Sequence, residues 1–81
     1  MKIPKDVSGK ELAKQLEKLG YHVTRQTGSH MRLTLTGEEE HHVTIPKHKS
    51  LKIGMLHNIL KDVADHLGMS KKELVERLWR K

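Results

Sequence analysis

The chain has 81 residues, a length expected to make one domain around one core, residues 1–81 with a core over about 7–68. Hydrophobic residues are 35%, with no Phe, one Tyr and one Trp, so the core is expected to be aliphatic. With no cysteine, disulfides, thiolate metal sites and cysteine nucleophiles are excluded. Sixteen Lys and Arg against ten Asp and Glu give +6 before any of the seven histidines is protonated, a balance that fits a nucleic-acid partner.

No apolar run approaches the roughly 20 residues of a membrane span, and Met1 to Asp6 lacks the apolar stretch of a signal peptide. A soluble cytoplasmic protein with no membrane partner is expected.

Ser8-Gly9-Lys10-Glu11 reads as a capping box, so a helix is expected over residues 9–19. Leu12, Leu16 and Leu19 lie on its apolar side and Gly20 is its left-handed stop. From Tyr21 the period becomes two. Tyr21 and Val23 alternate with His22, Thr24 and Gln26; Thr27-Gly28-Ser29 turns; Met31, Leu33 and Leu35 alternate with His30, Arg32, Thr34 and Thr36. After the polar turn Gly37-Glu38-Glu39-Glu40 a third strand runs to Pro46, giving an antiparallel meander.

The basic connection Lys47-His48-Lys49-Ser50 leads into a helical period from about residue 52, through Ile53, Leu56, Leu60, Val63 and Leu67, stopped by Gly68. Ser70-Lys71-Lys72-Glu73 repeats the capping pattern ahead of a short C-terminal helix over about 70–80. This order predicts an α+β fold, a two-layer α-β-β-β-α domain with an extra C-terminal helix, its helices covering one sheet face. Period-two bookkeeping then puts His22, Thr24, Gln26, His30, Arg32, Thr34, Thr36, His42 and Thr44 on the open face.

Three features of that layout bear on chemistry. His30 follows Gly28-Ser29 at a strand start, where a glycine at positive φ would let a ligand approach the backbone, and Arg25 and Arg32 would bring positive charge to a phosphate. An exposed strand histidine is also commonly idle. His48 lies between Lys47 and Lys49, either as a second proton-transfer group or in a solvated loop capping the next helix. Glu38 to His42 suggests a metal, but adjacent strand residues point to opposite faces, so a solvated turn is expected and no metal site or cofactor is assigned. His57 and His66 are expected to be surface or half-buried. Phosphate-binding glycine loops, zinc-hydrolase and serine-hydrolase signatures are absent from the sequence, and so is an aromatic platform for stacked bases.

The sequence resembles the HicA toxins of bacterial and archaeal toxin–antitoxin systems. The resemblance rests on Ser8-Gly9-Lys10-Glu11-Leu12, Leu19-Gly20-Tyr21, Arg25-Gln26-Thr27-Gly28-Ser29-His30, Ile45-Pro46-Lys47-His48, and Leu51 through Gly54-Met55-Leu56 to Ile59-Leu60-Lys61. Met55 stands where the familiar pattern usually has a threonine or similar residue. The resemblance implies a fold like the double-stranded-RNA-binding domain and a metal-independent endoribonuclease that cleaves mRNA and is neutralised by a HicB-like antitoxin. It implies His30 as the catalytic residue. Arg25, Gln26, Gly28, Ser29, Arg32, Lys47, His48 and Lys49 are the expected RNA-binding or supporting residues, and Trp79 would serve the core or the antitoxin. The alternative is a non-catalytic double-stranded-RNA-binding module on the same basic face.

Overall fold

The structure is a computed structural model and describes residues 3–80. Met1 and Lys2, part of the N-terminal reading above, and Lys81 lie outside the described residues. The elements run α1 (Gly9–Glu17), β1 (His22–Gln26), β2 (His30–Leu35), β3 (His41–Pro46), α2 (Ile53–Leu67) and α3 (Lys71–Trp79). The strands form one antiparallel sheet in the order β1-β2-β3. The expected α+β architecture with its additional C-terminal helix is the one observed.

Local chemistry sets the helix ends. Ser8 Oγ accepts the amide of Glu11 at 3.0 Å and Ser70 Oγ that of Glu73 at 3.1 Å, each filling a donor that a first helical turn leaves open. α1 stops two residues short of the expected Leu19. The amides of Lys18, Leu19 and Gly20 bond three residues back, tightening its last turn, and Gly20 at φ 100° turns the chain into β1.

α1 packs on β1 and β3, α2 on β3, and α3 on both helices. Leu12 and Leu16 of α1, Leu33 and Ile45 of the sheet, Leu60 and Val63 of α2, and Leu74, Val75 and Leu78 of α3 are fully buried between them. Each such side chain contributes about 1.5–3 kcal/mol of transfer free energy. The core is aliphatic except for Tyr21, as the composition requires.

α1 meets the sheet at its first residue. A Cβ on Gly9 would collide with the carbonyl of Pro46, and the amide of Gly9 donates to the carbonyl of His48 at 2.9 Å. Among the described residues no helix is long and apolar enough to cross a membrane.

Two expectations about the sheet are corrected. Register shifts between Val23 and Arg25: His22 and Val23 pair with Thr34 and Leu33, but Arg25 pairs with Arg32 and Gln26 with Met31. Such a bulge breaks the alternation, so Arg25 joins Thr24 on the open face and Gln26 takes the side of buried Met31. Thr34 lies on the open face but is only 4% exposed, because Thr24 and His42 close over it through hydroxyl contacts of 2.8 Å each.

Candidate active site on the open sheet face

The bulge sets two guanidinium-bearing residues directly opposite each other. Cross-strand partners have Cβ atoms about 5 Å apart, and like charges in that relation repel. Arg25 and Arg32 border a shallow cavity of about 220 Å³ together with Thr27, His30 and Thr44. Neither arginine has an acidic partner among the described residues, so the cavity is a concave, cationic patch with an imidazole in its wall.

His30 is held by the turn before it. Thr27 Oγ1 accepts the amide of His30 at 3.0 Å and that of Ser29 at 3.3 Å, while the Thr27 amide donates to the His30 carbonyl at 2.9 Å. The hairpin therefore depends on a threonine side chain. Gly28 has no positive φ, contrary to expectation; open space surrounds it, so close approach to this backbone is unobstructed. Ser29 Oγ lies 2.9 Å from His30 Nδ1, which fixes the ring and leaves Nε2 without a partner among the described residues.

A second group occupies the same face beyond the arginines. Thr24 Oγ1, Thr34 Oγ1 and His42 Nδ1 are linked by two contacts of 2.8 Å, and His42 Nε2 lies 2.9 Å from Glu40 Oε1. These residues, with Arg25, Arg32 and Thr36, line a neighbouring cavity of about 350 Å³.

The other expected site residues are less closely gathered. Lys47 extends the ladder by donating its amide to the Ser29 carbonyl at 2.8 Å. Lys47, His48 and Lys49 are not walls of the His30 cavity, and neither are Gln26, Gly28 and Ser29. His48 is exposed and does not cap α2, whose N-cap residue, Lys52, makes no side-chain capping bond.

The family model described as the HicA toxin of bacterial toxin–antitoxin matches residues 9–64. This chain belongs to the HicA toxin family. No curated protein matches it, and no solved structure does. The matched span takes in α1, the whole sheet and most of α2, and so includes every residue of both cavities. As a HicA-family toxin the protein belongs to a toxin–antitoxin system, which implies an antitoxin partner.

The toxin also carries a polar cluster on the helix side that the sequence did not announce. Tyr21 OH lies 2.7 Å from His41 Nδ1, His41 Nε2 lies 3.2 Å from Asp62 Oδ1, and the rings of His41 and His66 stack at 4.3 Å. Burial, and secondarily the charge of Asp62, pushes the Tyr21 pKa up to about 12. Asp62 Oδ1 can only accept, so His41 Nε2–H donates to it. His41 and His42 thus face opposite sides of the sheet, as adjacent strand residues must.

Thr27 and Thr44 beside His30, and Thr24, Thr34, Thr36, Glu40 and His42 in the neighbouring cavity, were not among the expected site residues. Thr27 had a signal: a threonine two and three residues before turn amides is a local hydroxyl acceptor. Alternation put Thr34 and Thr44 on the open face, but which cavity each borders, and the pairing of Glu40 with His42, depend on cross-strand register.

Proposed function

We propose that this HicA-family toxin is an mRNA endoribonuclease that works without a metal, with His30 as its proton-transfer group, and that a HicB-like antitoxin neutralises it. The observation that carries this reading is a single cavity bordered by an imidazole whose Nε2 has no partner among the described residues and by two facing arginines that have no carboxylate partner among them. An RNA phosphodiester supplies what that cavity lacks: negative charge between the guanidiniums and a hydroxyl whose proton an imidazole can take near neutral pH.

In the proposed reaction the ribose 2'-oxygen forms a bond to phosphorus and the bond from phosphorus to the 5'-oxygen breaks. His30 takes the 2'-hydroxyl proton or delivers one to the leaving 5'-oxygen, and water exchanges the other. Arg25 and Arg32 stabilise the charge that builds on the non-bridging oxygens. The products are a 2',3'-cyclic phosphate and a 5'-hydroxyl. Lys47, His48 and Lys49, beyond the end of β3, supply backbone attraction to the flanking RNA.

The test is incubation of a long mRNA with the protein and with His30→Ala in EDTA, followed by identification of the new ends. Cleavage by wild type alone, leaving 5'-hydroxyls, is the expected result. Ends bearing 5'-phosphate overturn the mechanism. No cleavage by either protein, with salt-sensitive binding by both, replaces it with the RNA-binding module.

A further inference from the structure

The second cavity on the open face has features that phosphate binding does not explain. A carboxylate on a cationic RNA face repels the backbone, yet Glu40 borders the same cavity as Arg25 and Arg32. It lies there against one end of a polar side-chain group. His42 Nε2 lies 2.9 Å from Glu40 Oε1, and on the other side of the ring Nδ1 lies 2.8 Å from Thr34 Oγ1, itself 2.8 Å from Thr24 Oγ1. The hydroxyl at the centre of this chain belongs to the one buried polar residue of the sheet, Thr34. Contacts on both ring nitrogens hold His42 in place beside the carboxylate.

We infer that the Thr24–Thr34–His42–Glu40 chain is a base-binding subsite for guanine, next to the cavity that holds the phosphate. The inference rests on the ribonuclease reading for its place in the reaction but not for its chemistry. Glu40 Oε2 has no partner among the described residues, and Oε1 keeps a free lone pair beside His42. Two carboxylate oxygens accept best from two parallel N–H groups. Among the four RNA bases only guanine presents such a pair, N1–H and N2–H, along one edge. Adenine and cytosine place an unprotonated ring nitrogen beside their amine, and uracil flanks its single N–H with two carbonyls; each sets oxygen or nitrogen lone pairs against the carboxylate.

The surroundings suit a base rather than a second phosphate. Thr34 and His42 pair across the ladder four residues along β2 from His30, about 13 Å at strand spacing. That is too far for His42 to serve the phosphate at His30, and within reach of a nucleotide adjoining it. Arg25 and Arg32 border both cavities, so one guanidinium pair can hold a phosphate and offer a flat face to the neighbouring base. With no exposed Phe, Tyr or Trp on the sheet, discrimination falls mainly to edge hydrogen bonds.

The experiment measures binding of short oligouridines carrying a single central guanine, adenine, cytosine or uracil, using His30→Ala so that no probe is cut. The guanine probe is expected to bind about ten-fold more tightly than the other three, the discrimination of one good bidentate pair. Glu40→Gln is expected to reduce that preference to about two-fold or less. The ratio among probes is the readout, because removing any carboxylate from this face strengthens RNA binding overall. Equal binding of all probes, no binding of any, or a guanine preference that survives in Glu40→Gln overturns the inference. Guanine preference in a protein that cuts no RNA would leave the subsite standing and the ribonuclease reading overturned; cleavage with no base preference would do the reverse.

Discussion

Arg25 and Arg32 face each other across the β1–β2 ladder because one extra residue in β1 moves Arg25 onto the open face. Without that bulge the position opposite Arg32 would belong to Thr24, whose short hydroxyl carries no charge. Two facing cations cost stability in the free protein, and that cost is recovered when an anion sits between them.

Arg25→Gln keeps much of the side-chain length and removes the repulsion. Thermal stability is expected to hold or rise by a few tenths of a kcal/mol. RNA affinity should fall, and the slope of log K against log salt should become shallower by about 0.7, the single-strand value for one lost phosphate contact. Denaturant melts and binding titrations across a salt series check both. A loss above about 1 kcal/mol with an unchanged salt slope would make Arg25 a structural residue.

Ser29 holds the His30 ring through Nδ1 and is not a wall of the His30 cavity. Under the proposed mechanism His30→Ala lowers the single-turnover cleavage rate by about 100-fold or more. Ser29→Ala lowers it by about ten-fold or less, the share of one orienting hydrogen bond, and leaves RNA affinity unchanged. If Ser29→Ala is as damaging as His30→Ala while binding is intact, the hydroxyl takes part in the chemistry.

Gly9→Ala reverses the usual rule for helices. Alanine ordinarily stabilises a helical position by about 1 kcal/mol over glycine. Here the added Cβ meets the Pro46 carbonyl, a backbone atom held by the strand, so the variant is expected to lose about 2 kcal/mol. Urea denaturation gives the number, and a stabilised Gly9→Ala protein would show that the contact yields freely.

The raised pKa of Tyr21 links folding to alkaline pH. An unfolded phenol ionises near 10, and burial, with Asp62 second, pushes the folded value up to about 12. Between those values the unfolded chain loses its phenol proton and the native chain keeps it. The stabilisation is therefore whole below pH 10 and declines as pH rises toward 12. Because the chain has one tyrosine, phenolate absorbance reports this group alone. Stability measured against pH should fall more steeply in wild type than in Tyr21→Phe; equal slopes would mean that the phenol ionises in the native state as it does in the unfolded one.

Periodicity and capping residues made the elements legible, because Ser8, Ser70, Gly20 and Gly68 act within a few residues of themselves. The inward set Met31, Leu33, Val43 and Ile45 was equally readable, since β2 and β3 alternate without interruption. The bulge was not: nothing in Thr24-Arg25-Gln26 marks an extra residue, and register is decided by the partner strand. Gln26 was consequently set on the wrong face and Thr34 was read as open to solvent. His30 stood out through the family resemblance; spacing alone made it one strand histidine among several. The stacked pair of His41 and His66 needs the register of β3 and the rotation of α2 together, and neither residue carries that information.

α3 begins after the family match ends, yet Leu74, Val75 and Leu78 are fully buried against α1 and α2. Cells that escape a toxin do so by breaking its gene, and breaks are recovered wherever they abolish the product. A stop codon ahead of residue 71 would strip three core side chains while leaving every residue of both sheet cavities encoded. Escape lesions in this gene should therefore fall in the stretch encoding α3 as readily as at the codon for His30, making that short helix a genetic off-switch.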